Sequence, residues 1–259
     1  MTNLNQSLHN PHLDGEPFLW ERGETAVLLS HGLTATPAEV RLLAENLQAA
    51  GFTIAAPLLA GHGTTPEDLN QTKWQDWVWS VEQVYHELAT RCEHVFVGGE
   101  STGAVIALYL ASRYADINGV LNYAPAIKLA IPEPDMLKLK LSAPFMTSIP
   151  KEGLDRSDRW QGYRVNPLKA ALELVKLGEI VIDLLPTIQQ PVFVVQGGLD
   201  TTIHPDSGKI IIEGVASEIK ELHWMEHSSH VVLLDNELDR VTEFTLNFIR
   251  RIQQREHIS

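Results

Sequence analysis

The chain of 259 residues has a single cysteine, Cys92, so no disulfide can form within it. A lone cysteine suits a reducing cytoplasm, and its place just before an apolar run reads as structural rather than reactive. Long apolar runs are missing too. None approaches the ~18 residues of a membrane span, so no integral membrane segment is expected. Residues 1–15 carry neither the basic stretch nor the apolar stretch of a secretory leader, and they read as loosely docked. Positive charge is scarce: 20 Lys and Arg stand against 33 Asp and Glu, a formal net charge of −13. That balance disfavours nucleic acid and anionic membrane surfaces as partners; its plainest use is solubility. There is no internal repeat, no low-complexity segment, no cluster with metal-ligand spacing and no dinucleotide-type G-x-G-x-x-G.

What is present is an ordinary apolar content of 44%. The length suits one α/β domain with an insertion, or two small domains. Short apolar runs recur along the chain: Ala26 to Leu29, Phe52 to Ala56, Val95 to Val97, Gly119 to Tyr123 and Val192 to Val195. Continuous runs of this kind fit strands covered on both faces. Phe18 to Trp20 reads as a short edge strand and Glu221 to Trp224 as a last strand. Between the strands lie helical patterns. Pro37 to about Ala50 is one, with Thr36 as its N-cap and Gly51 as its stop. Pro66 to Arg91 reads as one long helix, with Trp74, Trp77 or Val78, Val81, Val84 or Tyr85, and Leu88 on a core-facing stripe. Pro205 to Glu213 and Asp235 to Arg251 are two more. Strands and helices in alternation predict a mostly parallel, doubly wound sheet. From about 126 to 187 the pattern changes to many prolines, short helical patches and no convincing strand. This is a helical insertion, with Pro167 to Leu185 as its clearest helix. The predicted division is therefore 1–125 with 188–259 as the core, and 126–187 as the insertion.

One stretch organises the rest. Val95-Phe96-Val97 runs into Gly98-Gly99-Glu100-Ser101-Thr102-Gly103 and then into the helical pattern Ala104 to Leu110. Strand, tight turn and helix with G-x-S-x-G at the turn make a nucleophile elbow. A serine at such an apex is forced toward strained backbone angles, and glycines at 99 and 103 remove side chains that would collide there. The helix N-terminus beneath it favours developing negative charge.

Ligand sites on doubly wound sheets lie at the C-terminal ends of the strands. Ser30 to Thr34, Ser101, Asp200 and the loop holding His230 all follow strands directly. A serine needs a base to take its proton, and the base needs a third group to orient it. The order serine, acid, histidine is supplied by Ser101, Asp200 and His230. Asp206 and Asp183 are rival acids, but one sits in a helix and the other precedes its strand. His227 and His223 are rival bases. His230 is preferred because it opens Val231 to Leu234, an apolar run that would anchor its loop. His31, His62 and His204 read as loop or supporting residues. Attack on a carbonyl also creates an oxyanion, which needs two fixed donors. Thr102 N–H, after the nucleophile, and Leu33 N–H, in the early His31-Gly32-Leu33-Thr34 loop, are the candidates. Such chemistry needs no cofactor.

With these residues in view, the chain resembles the α/β-hydrolase superfamily, and within it the small bacterial carboxylesterases and monoacylglycerol lipases. The similarity spans about Val27 to Ile249. It is strongest at Leu28 to Thr34, Gly61-His62-Gly63, Pro191 to Asp200, His204 to Ser207 and Ser229-His230-Val231. The resemblance places the family's nucleophile on Ser101, its acid on Asp200, its base on His230, and its oxyanion donors on Leu33 and Thr102. It implies the α/β-hydrolase fold, a helical cap formed by the insertion, and a small-molecule acyl ester of short to medium chain as substrate. Three positions depart from the family pattern. Leu33 stands where an aromatic residue is frequent, Glu100 where an apolar one is usual, and Ala104 where glycine is usual. Glu100 could raise the basicity of nearby groups, bind a donor on the substrate, or be paired or solvated.

The same triad also serves thioesters, amides and peptides, because specificity lives in the pocket and cap. A non-catalytic small-ligand binder on the same fold is a further reading, but it has no use for all three groups. A dehalogenase would need a carboxylate at position 101. Leu137, Leu139, Leu141, Phe145 and Met146 supply apolar surface that could line an acyl tunnel or pack the insertion onto the core. Oligomeric state is left open by the sequence.

Overall fold

The apolar runs become the middle of a seven-stranded sheet whose strands lie side by side in the order Lys220–Met225, Val192–Gly197, Gly119–Tyr123, His94–Glu100, Thr25–Ser30, Thr53–Ala56, Phe18–Trp20. The computed structural model describes residues 7–151 and 158–256. The sheet strands are β2 (Phe18–Trp20), β3 (Thr25–Ser30), β4 (Thr53–Ala56), β5 (His94–Glu100), β6 (Gly119–Tyr123), β10 (Val192–Gly197) and β11 (Lys220–Met225). A short strand, β1 (Leu8–His9), precedes them. Every pairing in the main sheet is parallel except β2 on β4, which closes one edge antiparallel. All residues of β3, β4, β6 and β10 are buried, as their unbroken apolar runs require. Each fully buried Val, Leu, Ile or Phe there contributes roughly 1.5–3 kcal/mol relative to an exposed one.

Helices cover both faces: α1 (Ala38–Ala49), α2 (Pro66–Leu69), α3 (Trp74–Ala89), α4 (Thr102–Ala111), α5 (Glu133–Ser142), α6 (Leu168–Leu184), α7 (Ser207–Gly214) and α8 (Leu238–Glu256). The tryptophan stripe of α3 faces the core as its period implies, with Trp74, Trp77, Val78, Val81, Tyr85 and Leu88 buried. Cys92 is half-buried, and burial pushes its thiol upward in pKa, as befits an unreactive one.

Several expectations are corrected. The long helix expected over 66–91 is two helices. Thr65 caps α2 by accepting from Asp68 N–H at 3.1 Å, and Asp76 starts α3 anew by accepting from Lys73 N–H at 2.8 Å. The hydroxyl of Thr36 does not cap α1; it donates to Gln161 Oε1 at 2.8 Å. Between β6 and β10 there are strands after all: β7 (Ser148–Pro150), β8 (Gly162–Tyr163) and β9 (Val165–Pro167). They are too short to show a period. β7 pairs with β9, and β8 pairs with β1, both antiparallel. So the N-terminal stretch from residue 7 is fastened rather than loose; residues 1–6 of that expectation lie outside the described residues. Asn10 Nδ2 and Gln161 Nε2 reinforce the attachment, donating to Trp160 O and to Asn10 and Leu13 carbonyls. Finally, Leu137, Leu141, Phe145 and Met146 are exposed, Phe145 at 89%, while Leu139 is half-buried, so among the described residues the four exposed side chains neither line an enclosed tunnel nor pack onto the core.

Candidate active site

Ser101 sits between β5 and α4 with φ 56° and ψ −110°, a left-handed φ that is unfavourable for a side-chain-bearing residue. The surroundings hold it there. Ser101 N–H donates to Tyr123 O at 2.9 Å, and Ser101 O accepts from Ala126 N–H at 3.2 Å. The turn also brings the chain against β3. A Cβ at Gly99 or Gly103 would run into the Ser30 carbonyl oxygen, so glycine is required at both. The side chain points to the C-terminal end of the sheet.

The three residues picked from the order serine, acid, histidine are brought together there. His230 Nε2 accepts from Ser101 Oγ–H at 2.9 Å, and His230 Nδ1–H donates to Asp200 Oδ2 at 2.8 Å. Asp200's other oxygen accepts from Thr202 and Ile203 N–H groups at 2.8 and 3.2 Å. Those bonds fix the carboxylate, which in turn fixes the imidazole tautomer with its free lone pair on the serine. A hydroxyl so placed can be deprotonated as it attacks, and the imidazolium that forms faces a carboxylate.

The loop of His230 is stapled by two carboxylates that sequence reading passed over. Asp235 Oδ2 accepts from both Ser229 N–H and Ser229 Oγ–H, at 2.5 and 2.7 Å. Glu237 Oε2 accepts from His227 N–H and Ser228 Oγ–H at 2.9 and 2.8 Å. Val232, Leu233 and Leu234 are buried and anchor the loop, as their run implied.

The rival residues lie elsewhere. His227 is exposed, and His223 pairs with Glu221 at 2.9 Å while stacking on Phe244. His204 meets its own neighbour Asp206, whose N–H donates to Nδ1 at 3.2 Å. His31 is fully buried: Nδ1–H donates to Gly32 O at 2.9 Å and Nε2 accepts from Leu59 N–H at 3.1 Å. Burial lowers its pKa to about 4, so it is a neutral strut under the loop. His62 packs edge-on against it, and burial lowers its pKa as well.

Leu33 and Thr102 adjoin. Leu33 N–H donates to Thr102 Oγ1 at 3.1 Å, and Thr102 N–H opens α4, among the amides that have no partner within their helix. Behind the loop stands Glu39 of α1, also unremarked in the sequence. Its Oε2 accepts from Gly32 N–H at 2.6 Å and its Oε1 from Trp160 Nε1–H at 2.8 Å. Lys151 Nζ donates to Thr34 Oγ1 at 2.5 Å and lies over the Trp160 ring at 4.2 Å. Burial lowers the Lys151 pKa to about 8, with Glu39 opposing the shift. Nothing local marks these residues, since Glu39 and Trp160 meet across 121 positions.

Residues 22–237 match the family Hydrolase_4, described as serine aminopeptidase, S33. The chain is 34% identical over 242 residues to a thermostable monoacylglycerol lipase of Bacillus sp. (strain H-257), covering 93% of this chain and 97% of that one. It is 32% identical over 256 residues to a carboxylesterase of Bacillus subtilis (strain 168), covering 92% and 97%. A solved structure from work on two metagenome-derived lipolytic enzymes, LipS and LipT, superposes with a TM-score of 0.85. That match is 32% identical and covers 92% of this chain and 99% of its counterpart.

Proposed function

Since the chain belongs to the Hydrolase_4 family of α/β-hydrolases and is an ester-hydrolysing serine hydrolase, we propose that Ser101, His230 and Asp200 are its catalytic triad. The observation that carries this is the unbroken pair of hydrogen bonds, 2.9 and 2.8 Å, from Ser101 through His230 to Asp200. Ser101 Oγ attacks the ester carbonyl while His230 Nε2 takes its proton. The tetrahedral oxyanion is held by the N–H groups of Leu33 and Thr102. The Thr102 hydroxyl occupies Leu33 N–H until the substrate oxygen replaces it. His230 then protonates the leaving alcohol, and water, activated by the same imidazole, hydrolyses the acyl-enzyme.

The substrates are acyl esters of short to medium chain, monoacylglycerols among them; relatives named monoacylglycerol lipase and carboxylesterase support this choice. Residues 126–187 act as a cap, a role supported by their place between β6 and β10, outside the main sheet. The single cysteine supports a cytoplasmic location. Among the described residues, no helix is long and apolar enough to cross a membrane.

Steady-state hydrolysis of p-nitrophenyl esters from acetate to palmitate, with Ser101→Ala beside the wild type, tests the proposal. Wild-type turnover that peaks at short or medium chains and vanishes in the variant is the expected result. Equal activity of both proteins would remove Ser101 from the chemistry. Inertness of both would move the substrate class to amides or thioesters.

A further inference from the structure

We infer that Glu100 is a positioning residue that stands as a neutral carboxylic acid and ties the His230 loop to the nucleophile elbow. Its carboxyl leaves the end of β5 one residue before Ser101 and is fully buried. Glu100 Oε1 accepts from Leu233 N–H at 3.1 Å, three residues beyond His230. Glu100 Oε2 has no hydrogen-bond partner among the described residues. A buried carboxylate with an unpaired oxygen is costly, and protonation of that oxygen removes the charge.

The neighbouring groups decide which of two buried carboxyls keeps its charge. Glu39 receives N–H donors on both oxygens, from Gly32 and Trp160, and the Lys151 ammonium acts on it favourably. Glu100 receives one donor and faces acids on every side: Glu39 of α1, Asp235 of the turn before α8, and Asp200 after β10. From β6 it faces the Tyr123 phenol, whose hydroxyl is hydrogen-bonded to Thr245 Oγ1. Burial raises the Glu39 carboxyl too, but its two N–H donors, His230 and Lys151 all oppose that shift, so of the two buried carboxyls Glu39 is the one placed to keep a charge. Burial first, and Glu39 second, push the Glu100 carboxyl well above its ordinary 4.5. Kept neutral, Glu100 adds no further anion beside His230, so the imidazole feels its hydrogen-bond partner Asp200 and the more distant Glu39. The departure from an apolar residue at this position thus supplies a hydrogen-bond acceptor without a charge.

The sign of the linkage gives a test that needs no catalytic assignment. A carboxyl raised in the folded state keeps a proton that the unfolded chain releases near pH 4.5. Folding stability is then lost as pH rises above that value, relative to a residue that cannot ionise. Melting temperatures of the wild type and Glu100→Gln, compared from pH 4.5 to 8, should diverge, with the variant gaining as pH rises. A variant that loses ground to the wild type as pH rises, or a difference that stays constant, would show a carboxyl that ionises in the folded state and overturn the neutral form. The positioning role rests on the triad proposed above and has its own arm. Glu100→Leu, which removes the acceptor, should lower kcat by about tenfold with KM little changed. Glu100→Gln, which keeps an acceptor, should restore most of that loss. Wild-type kcat in Glu100→Leu, or equal damage in both variants, would overturn the role. If Ser101→Ala were also fully active, the triad itself would be at fault, while the melting comparison would still stand.

Discussion

Helices α4 and α5 are both ten residues long and live in opposite surroundings. Every residue of α4 except Tyr109 is buried, while α5 buries none. The first begins at the residue after Ser101 and is wedged against the sheet, so the amide at its N-terminus cannot drift. Oxyanion stabilisation depends on that kind of fixed donor. The second opens the insertion with Leu137 and Leu141 in solvent. The contrast separates two jobs. The sheet and α4 hold Ser101, whereas α5 touches none of the groups around it; of the segment between β6 and β10, Trp160 and Lys151 brace the loop after β3.

Substitutions in the two regions should differ sharply in effect. The largest effect is expected at the acid of the proposed triad. Asp200→Asn keeps the shape but reverses the tautomer preference of His230, and kcat should fall on the order of 10⁴-fold, read with a soluble chromogenic ester. Next comes the elbow itself. Gly103→Ala would press a methyl group into the Ser30 carbonyl, and urea unfolding should show a loss of about 3 kcal/mol.

A pH effect of similar size belongs to His31 under the oxyanion loop. Its folded pKa of about 4 lies below the ordinary 6.5, so the folded state declines a proton that the unfolded chain accepts. Stability is fully present above pH 6.5 and is lost as pH falls toward 4, by up to about 3 kcal/mol. His31→Gln should flatten that acid slope in thermal melts; an unchanged slope would assign it elsewhere. The smallest effect is expected in the insertion. Leu141→Ala and Phe145→Ala should change stability by less than about 0.5 kcal/mol, since neither side chain is buried. A loss as large as that of Gly103→Ala would erase the distinction between the two regions.

The same contrast explains what could be read from the sequence. Strands β3, β4, β5, β6 and β10 announce themselves because burial on both faces leaves an unbroken apolar run. The elbow is legible because its glycines, its serine and its flanking patterns are contiguous. Asp200 and His230 follow from the places where strands end. What escapes is set by contacts between distant positions. Glu39 reads as an acidic residue in a helix's first turn, where it would suit the helix dipole, yet its carboxylate turns to Gly32 and Trp160. The break at 70–73 is hidden because Asn70-Gln71-Thr72-Lys73 holds no glycine or proline to mark it. The pairing of β1 with β8 joins two-residue strands, too short for any period to register. Glu100 is visible as an oddity, but its partner, Leu233 N–H, belongs to the other side of the site.

In the proposed mechanism Ser101 Oγ is the atom that is acylated. Reaction with a fluorophosphonate, followed by intact-mass measurement and peptide mapping, tests this directly. One adduct per chain on the peptide holding Ser101, absent in Ser101→Ala and slowed in His230→Ala, is the predicted result. An adduct on another residue, or none in a protein that still hydrolyses esters, would contradict it.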